Sequence, residues 1–145
     1  MSAVRPLMCI LKAFSQSTSF KRFADSTPNA RIFLFHKGDF CNPESEETYD
    51  DFRISFDVSN KEWDDFPGQT EDVIAFLSKW EPDLHQFISA YEPTEMILDF
   101  PLYSRLNDNI INQNDYLPKE LIALAGRLGL CIGMSIYQED RIVEL

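Results

Sequence analysis

His36, Asp39 and Cys41 fall within six residues of one another, a mix of imidazole, carboxylate and thiol that could hold a metal ion. A structural zinc site needs a fourth ligand at a recognisable spacing, and none stands near them. The expectation is a strand end and the loop after it, with no metal and no cofactor. His85 follows Leu84 on a helical stretch but off its apolar stripe. A general base needs a partner within hydrogen-bond reach, and the sequence names none, so a solvated histidine is expected. Glu46-Glu47 and Asp50-Asp51 leave three readings open: a solvated acidic loop, a docking patch for a basic partner, or a cation site. Neither pair has the Asp-x-Asp-x-Asp-Gly spacing of a calcium loop. Trp63-Asp64-Asp65-Phe66 sets two large aromatics among acids. Either they tuck under a loop as core, or they act as interface anchors inside an acidic rim, where a Trp can supply much of the binding energy. The chain has no Gly-rich phosphate loop, no Gly-x-Ser-x-Gly elbow and no His-Glu-x-x-His, so no catalytic residue is assigned and a non-enzymatic protein is expected.

The acidic residues are concentrated. Of the net charge of −11, residues 39–72 hold twelve acids against two bases, whereas residues 1–38 hold six bases and one acid. A middle segment this negative disfavours nucleic acid or an anionic membrane as its partner and favours a basic protein. With 145 residues, 44% hydrophobic and 26% charged, the chain is expected to be a single domain, residues 1–145, with a real core. No apolar run reaches the 18 or so residues of a membrane span, and residues 1–22 lack a signal peptide's apolar region, so a cytoplasmic protein is expected. Cys9, Cys41 and Cys131 are odd in number and widely spaced, which predicts free thiols, with Cys9 and Cys131 buried in apolar strands.

These groups must be positioned by regular elements, and one stretch organises the rest. In residues 70–91, Val73, Phe76, Leu77, Trp80, Leu84, Phe87, Ile88 and Tyr91 lie on one face of a 3.6-residue period. Thr70 is the expected N-cap, and Pro82 predicts a kink or short break near Glu81. Strands are predicted over residues 7–13, 31–36 and 52–59, the last alternating Phe52, Ile54, Phe56 and Val58 with polar neighbours. A short helical turn around Phe20 and Phe23 separates the first two. A fourth strand is predicted over residues 96–106, where Pro101 implies a bulge or an edge position. Leu117, Leu121, Leu124 and Leu128 mark a last helix with Pro118 in its first turn and Gly129 as its stop. A fifth strand follows over residues 130–137, and residues 138–145 read as a loosely held tail. The order β, short α, β, β, long α, β, α, β predicts an α+β, ferredoxin-like sandwich: a mostly antiparallel sheet of about five strands with helices on one face.

Residues 115–137, Asp-Tyr-Leu-Pro-Lys-Glu-Leu-Ile-Ala-Leu-Ala-Gly-Arg-Leu-Gly-Leu-Cys-Ile-Gly-Met-Ser-Ile-Tyr, resemble the close of a bacterial family known as domain of unknown function 4279. There a Leu-Pro-x-Glu-Leu helix and a Leu-Gly turn lead into a last strand ending near Ser-x-Tyr. His36-Lys37-Gly38-Asp39 is similar to that family's Lys-Gly-acid turn after an early strand. The resemblance implies the same order of elements and transfers no catalytic residue. Several members look like genome neighbours of polymorphic toxins, which implies an immunity role. The combined expectation is an immunity protein that neutralises a basic toxin domain, perhaps a nuclease. The loops on either side of the third strand would form its partner-facing surface, with Glu46, Glu47, Asp50, Asp51, Trp63, Asp64, Asp65 and Phe66 as contact residues. A small-ligand or regulatory ferredoxin-like domain is the alternative.

Overall fold

Strand alternation and helical stripes of the predicted kinds give, among the described residues, five strands and three helices: β1 (Cys9–Ser15), α1 (Lys21–Asp25), β2 (Ile32–Phe35), β3 (Phe52–Ser59), α2 (Phe66–Tyr91), β4 (Glu95–Tyr103), α3 (Lys119–Leu128) and β5 (Cys131–Tyr137). The computed structural model describes residues 8–28 and 31–138; the expected tail, beyond Gln138, lies outside them. One sheet holds all five strands in the order β2-β3-β1-β4-β5. β1 pairs antiparallel with β3 and β4, and β2 antiparallel with β3. These four strands with α1 and α2 are a ferredoxin-like split βαβ. α3 then returns the chain so that β5 joins β4 in parallel.

One face of the sheet is apolar because the inward positions of every strand are. Leu11, Ala13, Ile54, Phe56, Leu98, Phe100 and Leu102 are buried there, beneath Val73, Leu77, Leu84 and Phe87 of α2. Phe20 and Phe23 complete the cover, with Phe23 at 4.8 Å from Phe87, ring centre to ring centre. The other face carries Lys12, Arg53, Asp99 and Ser135. Lys12 pairs with Asp99 at 3.5 Å, and the Ser135 hydroxyl donates to Asp99 at 2.8 Å.

Four expectations are corrected. α2 begins at Phe66 rather than after Thr70, because the Asp65 carboxylate accepts from the Gly68 N–H at 3.0 Å and caps it. The Thr70 hydroxyl instead donates back to the Pro67 carbonyl at 2.8 Å. Pro82 lies inside α2, which runs unbroken from Phe66 to Tyr91. β4 is an inner strand, although it contains Pro101. Tyr103 and, by alternation, Pro101 turn their backbone groups away from β5, toward the side where β1's pairing has already ended at Ile10–Asp99. The missing N–H thus interrupts no ladder bond. Cys131 is exposed, not buried, because β5 is an edge strand and Cys131 faces the uncovered side of the sheet. Cys41 is exposed as well. Cys9 is buried, and desolvation, with Asp99 and Asp72 adding to it, raises its thiol well above the usual range.

α3 lies along α2 through Leu121, Leu124, Ala125 and Leu128, and an ion pair clips the two helices. Arg127 donates to both Glu81 carboxylate oxygens, at 2.9 and 3.2 Å. These hydrogen bonds lower the Glu81 pKa from its ordinary 4.5 against an opposing desolvation; the charges of Arg127 and of His85, 3.6 Å away, add to the lowering. A depressed folded-state pKa contributes stability that is present above the unfolded value and lost as pH falls through the folded one. Arg127→Gln is expected to move the Glu81 titration, read from its carboxyl carbon by NMR, back up toward the ordinary range. Equal titration of Glu81 in parent and variant would mean that the clip does not form in solution.

Candidate functional site

The acidic segment between β2 and β3 builds a small hairpin of its own. Gly38, at φ +89°, takes the left-handed turn out of β2. Its N–H donates to the Tyr49 carbonyl, the Tyr49 N–H to Asp39 and the Cys41 N–H to Glu47, each at 2.9 Å, and Phe40 faces Thr48 in a β-bridge. At the tip, the Asn42 side chain accepts from the Glu44 N–H at 2.9 Å, an Asx turn. The base is anchored by Arg53, whose guanidinium lies 5.3 Å from the Phe14 ring and 5.2 Å from the Tyr49 ring. Arg53 also donates to Asp51 at 2.6 Å.

This arrangement sorts the predicted contact residues. Glu46, Glu47 and Asp50 are exposed on the hairpin, and so are Asp39 and Glu44. Asp51 is half-buried and paired with Arg53, which removes it from the free acidic field. Phe40, which the sequence reading passed over, is 66% exposed on the same hairpin. A large apolar residue outside every strand or helix stripe was the signal that could have found it.

The second predicted loop lies elsewhere. Residues 39–51 meet β3 at Phe52, while residues 60–65 leave it at Ser59. The seven steps from Phe52 to Ser59, at about 3.3 Å each, separate the two loops by on the order of 23 Å. The expectation of one surface built from both is therefore corrected: the two loops are at opposite ends of the sheet. Phe66 is no anchor either, since it is buried with its ring 5.3 Å from Phe100. Asp65 is occupied as the helix cap, and Asp64 is exposed. Trp63 packs on the open face of the sheet, stacked on Tyr137 at 4.8 Å and tilted against Tyr103 at 5.1 Å. Its carbonyl accepts from the Tyr103 N–H at 3.3 Å, so the loop takes the place beside β4 that β1 has vacated.

His36 packs edge-on to Phe52, with ring centres 6.2 Å apart. Among the described residues no three His, Cys, Asp or Glu side chains come together as a metal site. Hollows of about 290 Å³ beside Phe23 and Trp80 and about 210 Å³ beside Arg31 and Asp72 lie below the roughly 300–1,000 Å³ of small-molecule pockets. No helix among the described residues is long and apolar enough to cross a membrane.

No family model, curated protein or solved structure matches the chain.

Proposed function

We propose that the chain is a non-enzymatic cytoplasmic binding protein that docks a basic protein domain on its acidic hairpin, most concretely a toxin domain that it neutralises. The observation that carries this reading is Phe40, an exposed aromatic on a hairpin that is held by its own backbone bonds and that also exposes Asp39, Glu44, Glu46, Glu47 and Asp50. An interface of this kind uses a desolvated aromatic for affinity and surrounding charge for encounter rate. The ladder fixes the hairpin before binding, which reduces the ordering cost. The toxin identity rests on the resemblance at residues 36–39 and 115–137 and on the sign of the charge.

The test pairs this chain with the toxin domain encoded beside its gene, reading growth rescue and binding kinetics. Reversing Glu46, Glu47 and Asp50 to Lys is expected to slow association by about tenfold or more at low salt and to flatten its salt dependence, because exposed charges are screened beyond about 10 Å at 0.1 M. Phe40→Ala is expected to speed dissociation by about 30-fold, the equivalent of roughly 2 kcal/mol. Trp63→Ala, at the other end of the sheet, is expected to bind like the parent. If the hairpin variants bind and protect like the parent, the acidic hairpin is only a solubilising surface.

A further inference from the structure

The sheet has two edges, and they are built differently. β2 is an edge strand of only four residues that gives way to the acidic hairpin. Short edge strands and nearby charge are devices that block pairing with another chain. β5 has no such device. Its seven residues, Cys-Ile-Gly-Met-Ser-Ile-Tyr, include no charge and no proline, and its pairing with β4 runs without a bulge.

The outward groups of β5 can be identified. The Tyr137 carbonyl accepts from the Ser104 N–H at 2.7 Å, so Tyr137 turns its backbone groups toward β4. Alternation gives Cys131, Gly133 and Ser135 the same direction, and leaves the N–H and C=O groups of Ile132, Met134 and Ile136 pointing out of the sheet. Those three side chains share the helix-side face with Leu98, Phe100 and Leu102, their partners in β4. Met134 is 40% and Ile136 60% exposed at this edge.

We propose that this edge is completed by a second copy of the chain, β5 pairing antiparallel with β5 about a two-fold axis through Met134. The sequence is self-complementary in that register. Met134 faces Met134 of the other copy, and Ile132 faces Ile136 in both directions. Every outward residue then meets an outward residue, each such pair exchanging two backbone hydrogen bonds, about six in all. The apolar side chains fall opposite one another on the helix side, where cross-strand pairs are stabilising. A two-fold contact is the closed symmetry that limits growth to a dimer. Charge favours this edge over the β2 edge, which carries the acidic hairpin. The acidic hairpin springs from the opposite edge of the sheet, four strand spacings or on the order of 19 Å from β5, so the pairing keeps the two hairpins at its far ends.

The test uses the full chain. Sedimentation equilibrium is expected to show a dimer that tightens as salt rises, since salt screens the repulsion of two copies each carrying −11. That sign is opposite to the one expected for a basic partner at the hairpin, so each reading can fail without the other. Met134→Lys and Ile136→Lys are expected to give monomers with unchanged circular dichroism. In a Cys41→Ser, Cys131→Ser background, Met134→Cys is expected to cross-link under mild oxidation, because facing Cα atoms in such a pair are about 5.5 Å apart, within disulfide reach. Ser135→Cys, out of register with itself and on the other face, is expected to cross-link far less. A full chain that stays monomeric at every concentration and salt, or equal cross-linking at positions 134 and 135, would overturn the proposal. A chain that dimerises only after residues 139–145 are removed would overturn it too, by giving the edge to the chain's own tail.

Discussion

Phe87→Ala is expected to lower stability by about 3–5 kcal/mol, the range for deleting a large aromatic from a packed core. Phe87 is 1% exposed and sits where three parts of the chain meet. Its ring centre lies 4.8 Å from Phe23 and 5.4 Å from Phe20, which bring in α1 and the turn before it, 6.2 Å from Phe56 of β3, and 5.2 Å from Tyr91. Truncation removes the transfer free energy of the ring and leaves a cavity lined by four other rings. Those rings are fixed to separate elements, so the site cannot collapse easily. Because small domains are stable by only about 5–15 kcal/mol, one such change removes a large part of the total. Ile122→Ala is the matched control, on a helix next to the buried Leu121 but 54% exposed, and is expected to stay within about 0.5 kcal/mol of the parent. Urea denaturation with a common slope measures both. A Phe87→Ala loss below about 1 kcal/mol would mean that the aromatic cluster does not carry the core.

Phe87 was legible in the sequence, and the reason is periodicity. Its stripe with Val73, Leu77 and Leu84 repeats at the helical spacing, and the alternation from Phe52 to Val58 marks the strand beneath it. Local patterns of this kind say which residues face inward. They do not say which strand neighbours which, and that is where the site reading went astray. Residues 39–51 and 60–69 flank one strand in sequence, and proximity along the chain suggested one surface; an extended strand makes its two ends distant. Phe66 and Trp63 are three residues apart in an acidic stretch, yet one enters the core and the other lies on the open face, because the Asp65 cap starts a helix between them. Cys131 read as interior because the apolar residues around it show no sign that β5 would be an edge. Their alternation is the same at an edge as at the centre, and only the strand order distinguishes the two.

Gln69 shows the same limit, and its replacement by Glu is expected to cost about 3 kcal/mol or more at neutral pH. In sequence it is a polar residue near a helix start. In the fold it is fully buried, and its Nε2 donates to two carbonyls, Glu62 at 3.2 Å and Pro101 at 3.0 Å. It thereby ties the loop carrying Trp63 to β4 beyond the last residue that β1 pairs. Glu has nearly the same shape but no N–H, so two acceptors would face a buried carboxylate with nothing between them. Burial and those carbonyls both disfavour the ionised form, which raises the folded-state pKa of the new carboxyl above the unfolded value of about 4.3. The sign follows: the penalty is smallest below the unfolded pKa, where the protonated acid can still donate to one carbonyl, and it grows as pH rises toward the folded pKa. Gln69→Met removes both donors without adding a charge, and is expected to cost about 1–3 kcal/mol with no pH dependence of its own. The difference in unfolding free energy between the Glu and Met variants, measured in urea from pH 4 to pH 8 (about the range on either side of an ordinary to a strongly raised carboxyl), separates lost hydrogen bonds from buried charge. A constant difference across that range would mean that the carboxylate has reached water, and that the loop carrying Trp63 has come away from β4.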